Sequence, residues 1–350
     1  MNKQKTTKEI TMNKLTKIGV SALCGSLASV SSVYAGALEV VGGATATWAN
    51  TESESTGNPI GLSSGMTFKG SGELDNGTTF TLTLTNADQA AYSAGNIQLV
   101  TPGLGTITID QGAGGTGIDR YDDMMPTAWE ETTGTSLGTG LQTAGGIGSN
   151  ANIDWTLPSG FFPDGMTVAV AYTPRAQGLG ANDKGTAGSS NEQLGKGYDI
   201  AVEHTGLADG LKLFGGFSTI EGNGALMGDA TQHILGATYA VGMVTVGYQY
   251  SMDDKGSTQA TTAAYENQAF GISFAVNDDL TLSYGEHKSE RSVTTAATAD
   301  VENTARSLQV SYTMGGMSIK LAESSVDNGN YVTGGTKDLD GTTVALSLAF

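Results

Sequence analysis

The sequence is poor in cysteine and in basic residues. Its one cysteine, Cys24, lies in an N-terminal segment with the features of a removable leader. The remainder therefore has no disulfide framework and no thiolate metal site. Lysine and arginine together number 17 against 35 aspartates and glutamates, which gives a formal charge of −18. Such acidity argues against nucleic-acid binding, because phosphates require a basic face.

Long hydrophobic runs are also missing. After the leader, no stretch reaches the roughly 18 apolar residues of a transmembrane helix. If the chain crosses a membrane, it must do so as a closed barrel, because lipid cannot satisfy the backbone groups at the edges of an open sheet. Proline is scarce at 6 residues, whereas glycine reaches 51. This composition, with abundant threonine and serine, favours many strands and turns.

Enzyme signatures are absent or lack their structural context. There is no H-E-x-x-H motif, cysteine cluster or P-loop, and His204, His233 and His287 are scattered. Residues 112–117 fit G-x-G-x-x-G, but no strand–helix–strand pattern surrounds them. Residues 61–65 fit G-x-S-x-G, but they lead into an amphipathic strand instead of a helix. We therefore expect no enzymatic activity and no catalytic cofactor.

Two acidic pairs are the candidates for a structural cation. Asp253-Asp254 and Asp278-Asp279 could supply oxygen ligands to calcium. The simpler interpretation is that they are solvated aspartates in turns, and this is the one we favour.

The N-terminal segment has the three parts of a secretory signal peptide. From Met12, an alternative start, Lys14 and Lys17 precede an apolar stretch at 18–30, and Val33-Tyr34-Ala35 forms a small-residue cleavage site. We predict a signal peptide with a short extension over residues 1–35, cleaved after Ala35, and one barrel domain over residues 36–350. Removal of the leader takes away five lysines and one glutamate, which changes the formal charge to −22.

Alternation with a period of two runs through the rest of the chain. In the last segment Val344, Leu346, Leu348 and Phe350 alternate with small or polar residues. This pattern predicts strands with one apolar face. Segments 95–101, 211–220 and 231–240 alternate poorly, so the count lies between fourteen and eighteen. Our assignment has sixteen strands: 37–49, 63–75, 78–86, 95–101, 104–110, 151–157, 165–174, 197–205, 211–220, 231–240, 243–252, 265–276, 279–290, 304–313, 316–325 and 341–350.

The connections between these segments alternate between short and long. Short ones such as Asp75-Asn76-Gly77 and Val241-Gly242 suit tight hairpins. A membrane barrel with short periplasmic turns and long extracellular loops has this rhythm. The pattern predicts an all-β, sixteen-stranded antiparallel barrel with both termini on the short-turn side. The long connections are 50–62, 87–94, 111–150, 175–196, 221–230, 253–264, 291–303 and 326–340.

These features together resemble the Gram-negative general porins, a family of trimeric sixteen-stranded channels. The resemblance rests on the signal peptide, on the first strand at residues 37–43 and on the amphipathic C-terminal strand ending in Phe350. It implies an outer-membrane location, a homotrimer joined through the first and last strands, and contacts with lipid and lipopolysaccharide. It also implies that Phe350 is the signal read by the barrel-assembly machinery.

The resemblance further implies that the third long connection, 111–150, folds into the barrel and narrows the pore. In that family, acids of this loop face basic residues of the wall. Strand parity directs Lys69, Glu73, Lys212 and Lys320 inward, together with Glu39, Asp110, Asp199 and Glu203. The chain departs from an arginine-rich wall, since it has only four arginines and Arg306 lies on the apolar parity. The candidate constriction residues are Asp119, Arg120, Asp122, Asp123, Glu130 and Glu131.

The expected function is passive diffusion of small hydrophilic solutes and ions through a water-filled pore. Because carboxylates exceed basic groups, we expect a mild preference for cations. One alternative is a narrower channel selective for one class of nutrient. A second alternative is a surface β-protein that does not conduct and acts in adhesion.

Overall fold

A computed structural model describes residues 36–51, 58–88, 94–134, 137–176, 194–223, 228–256, 264–293 and 299–350. The predicted signal peptide lies outside the described residues. Each strand pairs antiparallel with its neighbours in sequence, and the first pairs with the last, so the sheet is a closed barrel. The strands are β1 Leu38–Thr51, β2 Ile60–Glu73, β3 Thr79–Ala87, β4 Ala94–Thr101, β5 Gly105–Gln111, β6 Ala151–Thr156, β7 Met166–Thr173, β8 Leu194–His204, β9 Leu211–Gly222, β10 Ala230–Val241, β11 Val244–Asp254, β12 Ala264–Ala275, β13 Leu280–Ser292, β14 Val301–Met314, β15 Met317–Asp327 and β16 Leu339–Ala349.

The two faces of the wall differ sharply in exposure. On β12, Phe270 and Phe274 are 41% and 38% exposed, whereas Asn267 and Ala269 on the other parity are buried. Successive side chains of a strand point to opposite faces, so the aromatic rings lie outside the barrel and the amide lies inside. Most of the wall repeats this arrangement, with exposed outward residues that include Leu62, Leu82, Ile97, Ile153, Leu235, Leu308 and Leu346. So large an apolar surface is stable against lipid and not against water.

The two ends of the chain close the barrel. Gly43 pairs with Ala349 and Thr51 with Gly341 along the β1–β16 ladder. Phe350 donates its backbone N–H to the Gly42 carbonyl at 2.9 Å and accepts the Gly42 N–H at 3.2 Å. An unpaired edge in lipid would cost several kcal/mol per exposed polar group. The terminal residue therefore completes the hydrogen-bonding of the cylinder.

A tight turn after β2 illustrates the short connections. Gly77 has φ of +78°, a conformation that glycine adopts without steric cost. The Leu74 N–H bonds to the Thr78 carbonyl at 2.8 Å, and the Asn76 side chain accepts the Thr78 N–H at 3.0 Å. The Asn-Gly pair thus produces the predicted hairpin.

The predicted count of sixteen strands is confirmed, including the three poorly alternating segments. The predicted boundaries were wrong mainly at the long-loop ends: β8 and β14 each begin three residues earlier than predicted, at Leu194 and Val301. Residues 301–303, assigned to a loop, are strand. There the outward side chains are charged, as in the Glu290–Glu302 pair of β13 and β14. Backbone pairing continues where the outer face is polar, so hydrophobic alternation cannot mark the end of the strand.

Among the described residues, no helix is long and apolar enough to span a membrane.

The acid Asp253, interpreted as a solvated turn residue, is in fact at the end of β11 and fully buried, with its carboxylate paired to Lys255. Asp253 lies on the inward parity of β11, beside other inward polar groups. The interpretation of the Asp-Asp pair as a turn was wrong because it did not consider this parity.

Candidate functional site: the loop inside the barrel

The connection between β5 and β6 folds into the lumen, as predicted. We call residues 112–150 the inner loop, with an outgoing limb at 117–130 and a return limb at 137–148. Ile118 and Tyr121 of the outgoing limb are almost fully buried. They pack on the inward side chains of Phe214 and Ile234, with the Tyr121 and Phe214 rings 5.0 Å apart between centroids. A hydrophobic contact therefore fixes the start of the inner loop to the wall.

Two wall carboxylates anchor the same region. Asp154 on β6 accepts the Gly117 N–H at 3.0 Å and pairs with Arg120 at 2.5 Å. Asp199 on β8 accepts the N–H of Ile118 at 2.9 Å and of Ile147 at 3.2 Å through one oxygen, Oδ2. Asp199 therefore ties both limbs to one point of the wall. Charge-assisted bonds of this kind are stronger than neutral ones.

Glycines allow the backbone to approach Asp199 this closely. A Cβ atom at Gly117 or at Gly146 would lie 2.2 Å from its Oδ2 atom, and both residues have φ of +56°. Gly117 belongs to the run 112–117 that fitted a dinucleotide motif. Here that run lies between β5 and a short 3-10 turn at 117–121, so its glycines serve the close approach of the loop to the wall.

The far end of the outgoing limb is held by Gln309 on β14. The Gln309 Oε1 atom accepts the N–H groups of Trp129 at 3.0 Å and Glu130 at 3.1 Å, and its Nε2 donates to the Glu130 carbonyl at 2.8 Å. Ser283 on β13 accepts the Ala128 N–H at 2.8 Å. The outgoing limb thus follows the inner wall from β6 to β14.

The return limb has its own attachments. Asn303 donates to the Thr139 carbonyl at 2.7 Å, and the Tyr331 hydroxyl accepts the Gln142 N–H at 3.0 Å. Gln232 on β10 accepts the Gly146 N–H at 2.7 Å. These bonds give the inner loop a defined position across the lumen.

The structure gives the predicted constriction residues different environments. Arg120 is paired with Asp154, and Asp119 accepts the Gly115 N–H at 2.8 Å, so both hold the loop together. Burial, and then Asp119 and Asp123, raise the pKa of Asp122 to about 7. Burial also raises the pKa of Glu130 and of Glu131, the latter with help from Asp123. Asp122, Asp123 and Glu131 lie together.

The basic residues do not form one cluster facing these acids. Lys69 lies opposite Glu39 in the β1–β2 ladder, and Lys212 pairs with Glu203 at 3.2 Å. Lys320 approaches the loop, with its Nζ atom 5.8 Å from the centroid of the Trp129 ring. Glu73 lies opposite Thr79 near the short-turn end of β2.

Arg291 and Arg306 likewise form their contacts away from these acids. Arg306 lies outside the barrel, as its parity predicted, bonded to Glu286 at 2.8 Å and Asp327 at 2.7 Å. Arg291 donates to the Tyr331 carbonyl at 3.3 Å and lies against that ring. Within the described residues, the acids of the inner loop therefore outnumber the basic groups that approach them.

Sequence reasoning did not identify the residues that hold the loop. Asp154 and Gln309 were not singled out, and Asp199 was assigned to the wall without a partner. Inward parity was the available signal, but it applies equally to many polar residues. Which of them receive N–H groups of the inner loop depends on the path of that loop.

A closed barrel with an apolar outer face, a polar interior and a loop folded across its lumen defines the class of outer-membrane channel proteins. The sequence profile of the Gram-negative porin family matches residues 19–350, and the chain belongs to that family. Its barrel and family indicate an outer-membrane location. No curated protein sequence matches the chain significantly.

Several solved structures share the fold at low sequence identity. The OmpF of Salmonella typhi in complex with daunomycin has 16% identity and a TM-score of 0.66, over 89% of this chain and 97% of that one. OmpT, an outer-membrane protein of Vibrio cholerae, has 13% identity and a TM-score of 0.65, over 92% and 100%. A mutant porin of Rh. blastica has 16% identity and a TM-score of 0.58, over 90% and 100%.

Proposed function

We propose that the protein is a non-enzymatic channel for passive diffusion of small hydrophilic solutes and ions. Family and fold support a porin channel, and a closed barrel with a polar interior is suited to holding water. Liposome swelling with sugars of increasing size tests the proposal. A smooth decrease of rate with size is expected of a general pore. One sugar far above the curve would favour a nutrient-selective channel, and no swelling at all would favour an adhesion protein.

We further propose a mild preference for cations. The observation that carries it is the group formed by Asp122, Asp123 and Glu131, which border one cavity that no lysine or arginine of the described residues lines. Fixed carboxylates raise the local concentration of cations and lower that of anions. Reversal potentials in a KCl gradient across planar bilayers are expected to have the sign of a cation-preferring pore. The opposite sign would reject the preference without rejecting the channel.

The preference should depend on pH, because the pKa of Asp122 is raised to about 7. A carboxyl group is charged above its pKa and neutral below it, so the lumen loses negative charge as pH falls through about 7. We expect cation selectivity to decrease between about pH 8 and about pH 6. The variant Asp122→Asn should flatten this step in the reversal potential. An unchanged step in that variant would show that another group titrates.

We propose that the working form is a homotrimer in contact with lipid and lipopolysaccharide. One similar structure, of Vibrio cholerae OmpT, is described as a trimer form. The outward positions of β1 include Gly42, Ala44 and Ala46, and small residues allow close packing of walls. We also propose that residues 1–35 hold a signal peptide that is cleaved after Ala35. The mature protein is then expected to begin at Gly36.

We propose that Phe350 is the assembly signal. The residue is 78% exposed, while its backbone closes the barrel through Gly42. The variant Phe350→Ala keeps those backbone bonds, so we expect little change in the stability of protein refolded into micelles. We expect a several-fold loss of folded protein in outer membranes, measured by the heat-dependent mobility of the barrel on gels. Equal amounts of folded variant and parent would contradict this role.

A further inference from the structure

The last long connection, which joins β15 to β16, contacts the inner loop. Its first turn is formed by residues 328–331, which we call the latch, and the segment 332–336 that follows is exposed. Tyr331 at the end of the latch is only 5% exposed. A connection with an exposed tip therefore places one large side chain inside the barrel.

The Tyr331 hydroxyl joins the return limb to the wall. It accepts the Gln142 N–H at 3.0 Å and shares a hydrogen bond with the Ser289 hydroxyl on β13 at 2.7 Å. The Tyr331 and Tyr265 rings lie 5.2 Å apart between centroids, and the Arg291 guanidinium lies 5.3 Å from the centre of the Tyr331 ring. Because a hydroxyl can both donate and accept, one atom completes a bridge from the strand to the loop.

Asn330 of the latch holds the same limb. Its backbone N–H donates to the Thr139 carbonyl at 2.8 Å, and that carbonyl also accepts the side chain of Asn303 on β14 at 2.7 Å. The Asn330 side-chain amide donates to the Gly138 carbonyl at 3.4 Å. The latch, the wall and the return limb therefore meet at one carbonyl group.

The latch and the return limb fit closely together. A Cβ atom at Gly140 would lie 2.1 Å from the Oδ1 atom of Asn330, and Gly140 has φ of +65°. Leu137, at the start of the return limb, packs with Val326 and Leu339, which lie near the two strand ends that the connection joins. The contact thus combines hydrogen bonds, an apolar cluster and a site where only glycine leaves room.

The backbone of the latch has an uncommon conformation. Asn328, Asn330 and Tyr331 have φ of +54°, +55° and +58°. Asparagine tolerates this left-handed region, but a bulky side chain such as that of tyrosine is strained there. Strained residues persist where the surrounding structure holds them, and they concentrate at functional sites. The contacts of Tyr331 with the wall and the return limb are the ones that hold it.

We propose that Tyr331 is a positioning residue of the pore, which holds the return limb against the wall and makes the last long connection part of the constriction. The inner loop is then fixed at two places: Asp199 on β8 holds both limbs, and the latch holds the return limb near β13 and β14. The effect on current rests on the proposed channel function, whereas the effect on the position of the limb does not.

Amide hydrogen exchange and single-channel recording of the full folded protein test the latch. Tyr331→Ala removes the ring and the hydroxyl, so we expect the amides of the return limb, 137–148, to exchange at least about tenfold faster. We expect closures of the channel to become more frequent by a similar factor. Tenfold corresponds to about 1.4 kcal/mol, the size of one or two hydrogen bonds. Tyr331→Phe keeps the ring contacts and should show a smaller effect in both measurements.

The return limb offers a matched pair of glycine variants. Gly140→Ala drives a methyl group into Asn330 and should loosen the same limb. Its effect should not add to that of Tyr331→Ala, because both changes break one contact. Gly138→Ala adds the same group where no atom lies within 4 Å of the new Cβ. We expect exchange and current in that control to equal those of the parent.

Three results would overturn the latch. They are unchanged exchange of residues 137–148 in Tyr331→Ala, equal effects of Gly138→Ala and Gly140→Ala, and full additivity of Gly140→Ala with Tyr331→Ala. Heat-dependent mobility on gels verifies that each variant is a folded barrel. Faster exchange in Tyr331→Ala, in a protein whose parent does not conduct, supports the latch and contradicts the channel function. A conducting parent with unchanged exchange in the variant contradicts the latch alone.

Discussion

Replacing Asp199 by alanine is expected to turn a steady open-channel current into a rapidly fluctuating one. The Oδ2 atom of Asp199 holds both limbs of the inner loop through the N–H groups of Ile118 and Ile147. Bonds to a charged group contribute about 1.5–3 kcal/mol each. Losing two of them at the lower figure removes about 3 kcal/mol, or roughly a hundredfold in the ratio of attached to detached loop. Single-channel recordings measure this as more frequent closures.

The matched variant is Asp199→Asn, which keeps an oxygen acceptor at nearly the same place. Its effect should be clearly smaller than that of alanine, because one side-chain oxygen can still accept the two N–H groups. The barrel itself should remain folded in both variants, since the wall hydrogen bonds of β8 are made by its backbone. A quiet current in Asp199→Ala, equal to that of the parent, would show that the hydrophobic contact of Ile118 and Tyr121 holds the loop without the carboxylate.

The second large effect is expected from neutralising the acids of the inner loop. The triple variant Asp122→Asn, Asp123→Asn and Glu131→Gln removes three charges from one place in the lumen. We expect its reversal potential in a KCl gradient to fall clearly toward zero, since the acids that carry the proposed preference are then uncharged. The measurement belongs at about 0.1 M salt or below, where the screening length is about 10 Å or more.

A control triple variant removes the same charge from the outside of the wall. Glu266, Glu290 and Glu302 lie on the outward parity of β12, β13 and β14. Their replacement by glutamine should leave the reversal potential close to that of the parent. If both triple variants change selectivity equally, net charge and not the inner loop determines it.

The period-two alternation of apolar and polar residues was sufficient to predict most of the fold. On β12 the lipid-facing parity is apolar at Phe270, Ile272 and Phe274, and on β16 at Val344, Leu346 and Leu348. Alternation there identifies both the strand and its outward face. At Glu286 on β13 and Arg306 on β14 the outer face becomes polar. Hydrophobic alternation no longer marks the strand there, although the backbone pairing of the two strands continues. The positions of the strand ends near the long loops could therefore be located only in the structure.

The inner loop was less accessible to sequence reasoning. Its inward fold was implied by the family resemblance, and its length supported its assignment as the third long connection. No local pattern in residues 112–150 specifies a position. The anchors Asp154, Asp199 and Gln309 look like other inward polar residues until the path of the loop is known. The acids Asp122, Asp123 and Glu131 were among the candidate constriction residues, because they lie in the third long connection of a chain that resembles the porins. Their role in selectivity stays a prediction.

The most direct test of the whole account is the current through purified protein in a planar lipid bilayer. The account predicts stepwise, ohmic conductance increments as barrels insert, with coupled steps of three for a trimer of open pores. Protein that is folded in the bilayer and yet adds no conductance would contradict the claim that this cylinder meets lipid on its outside and holds water within.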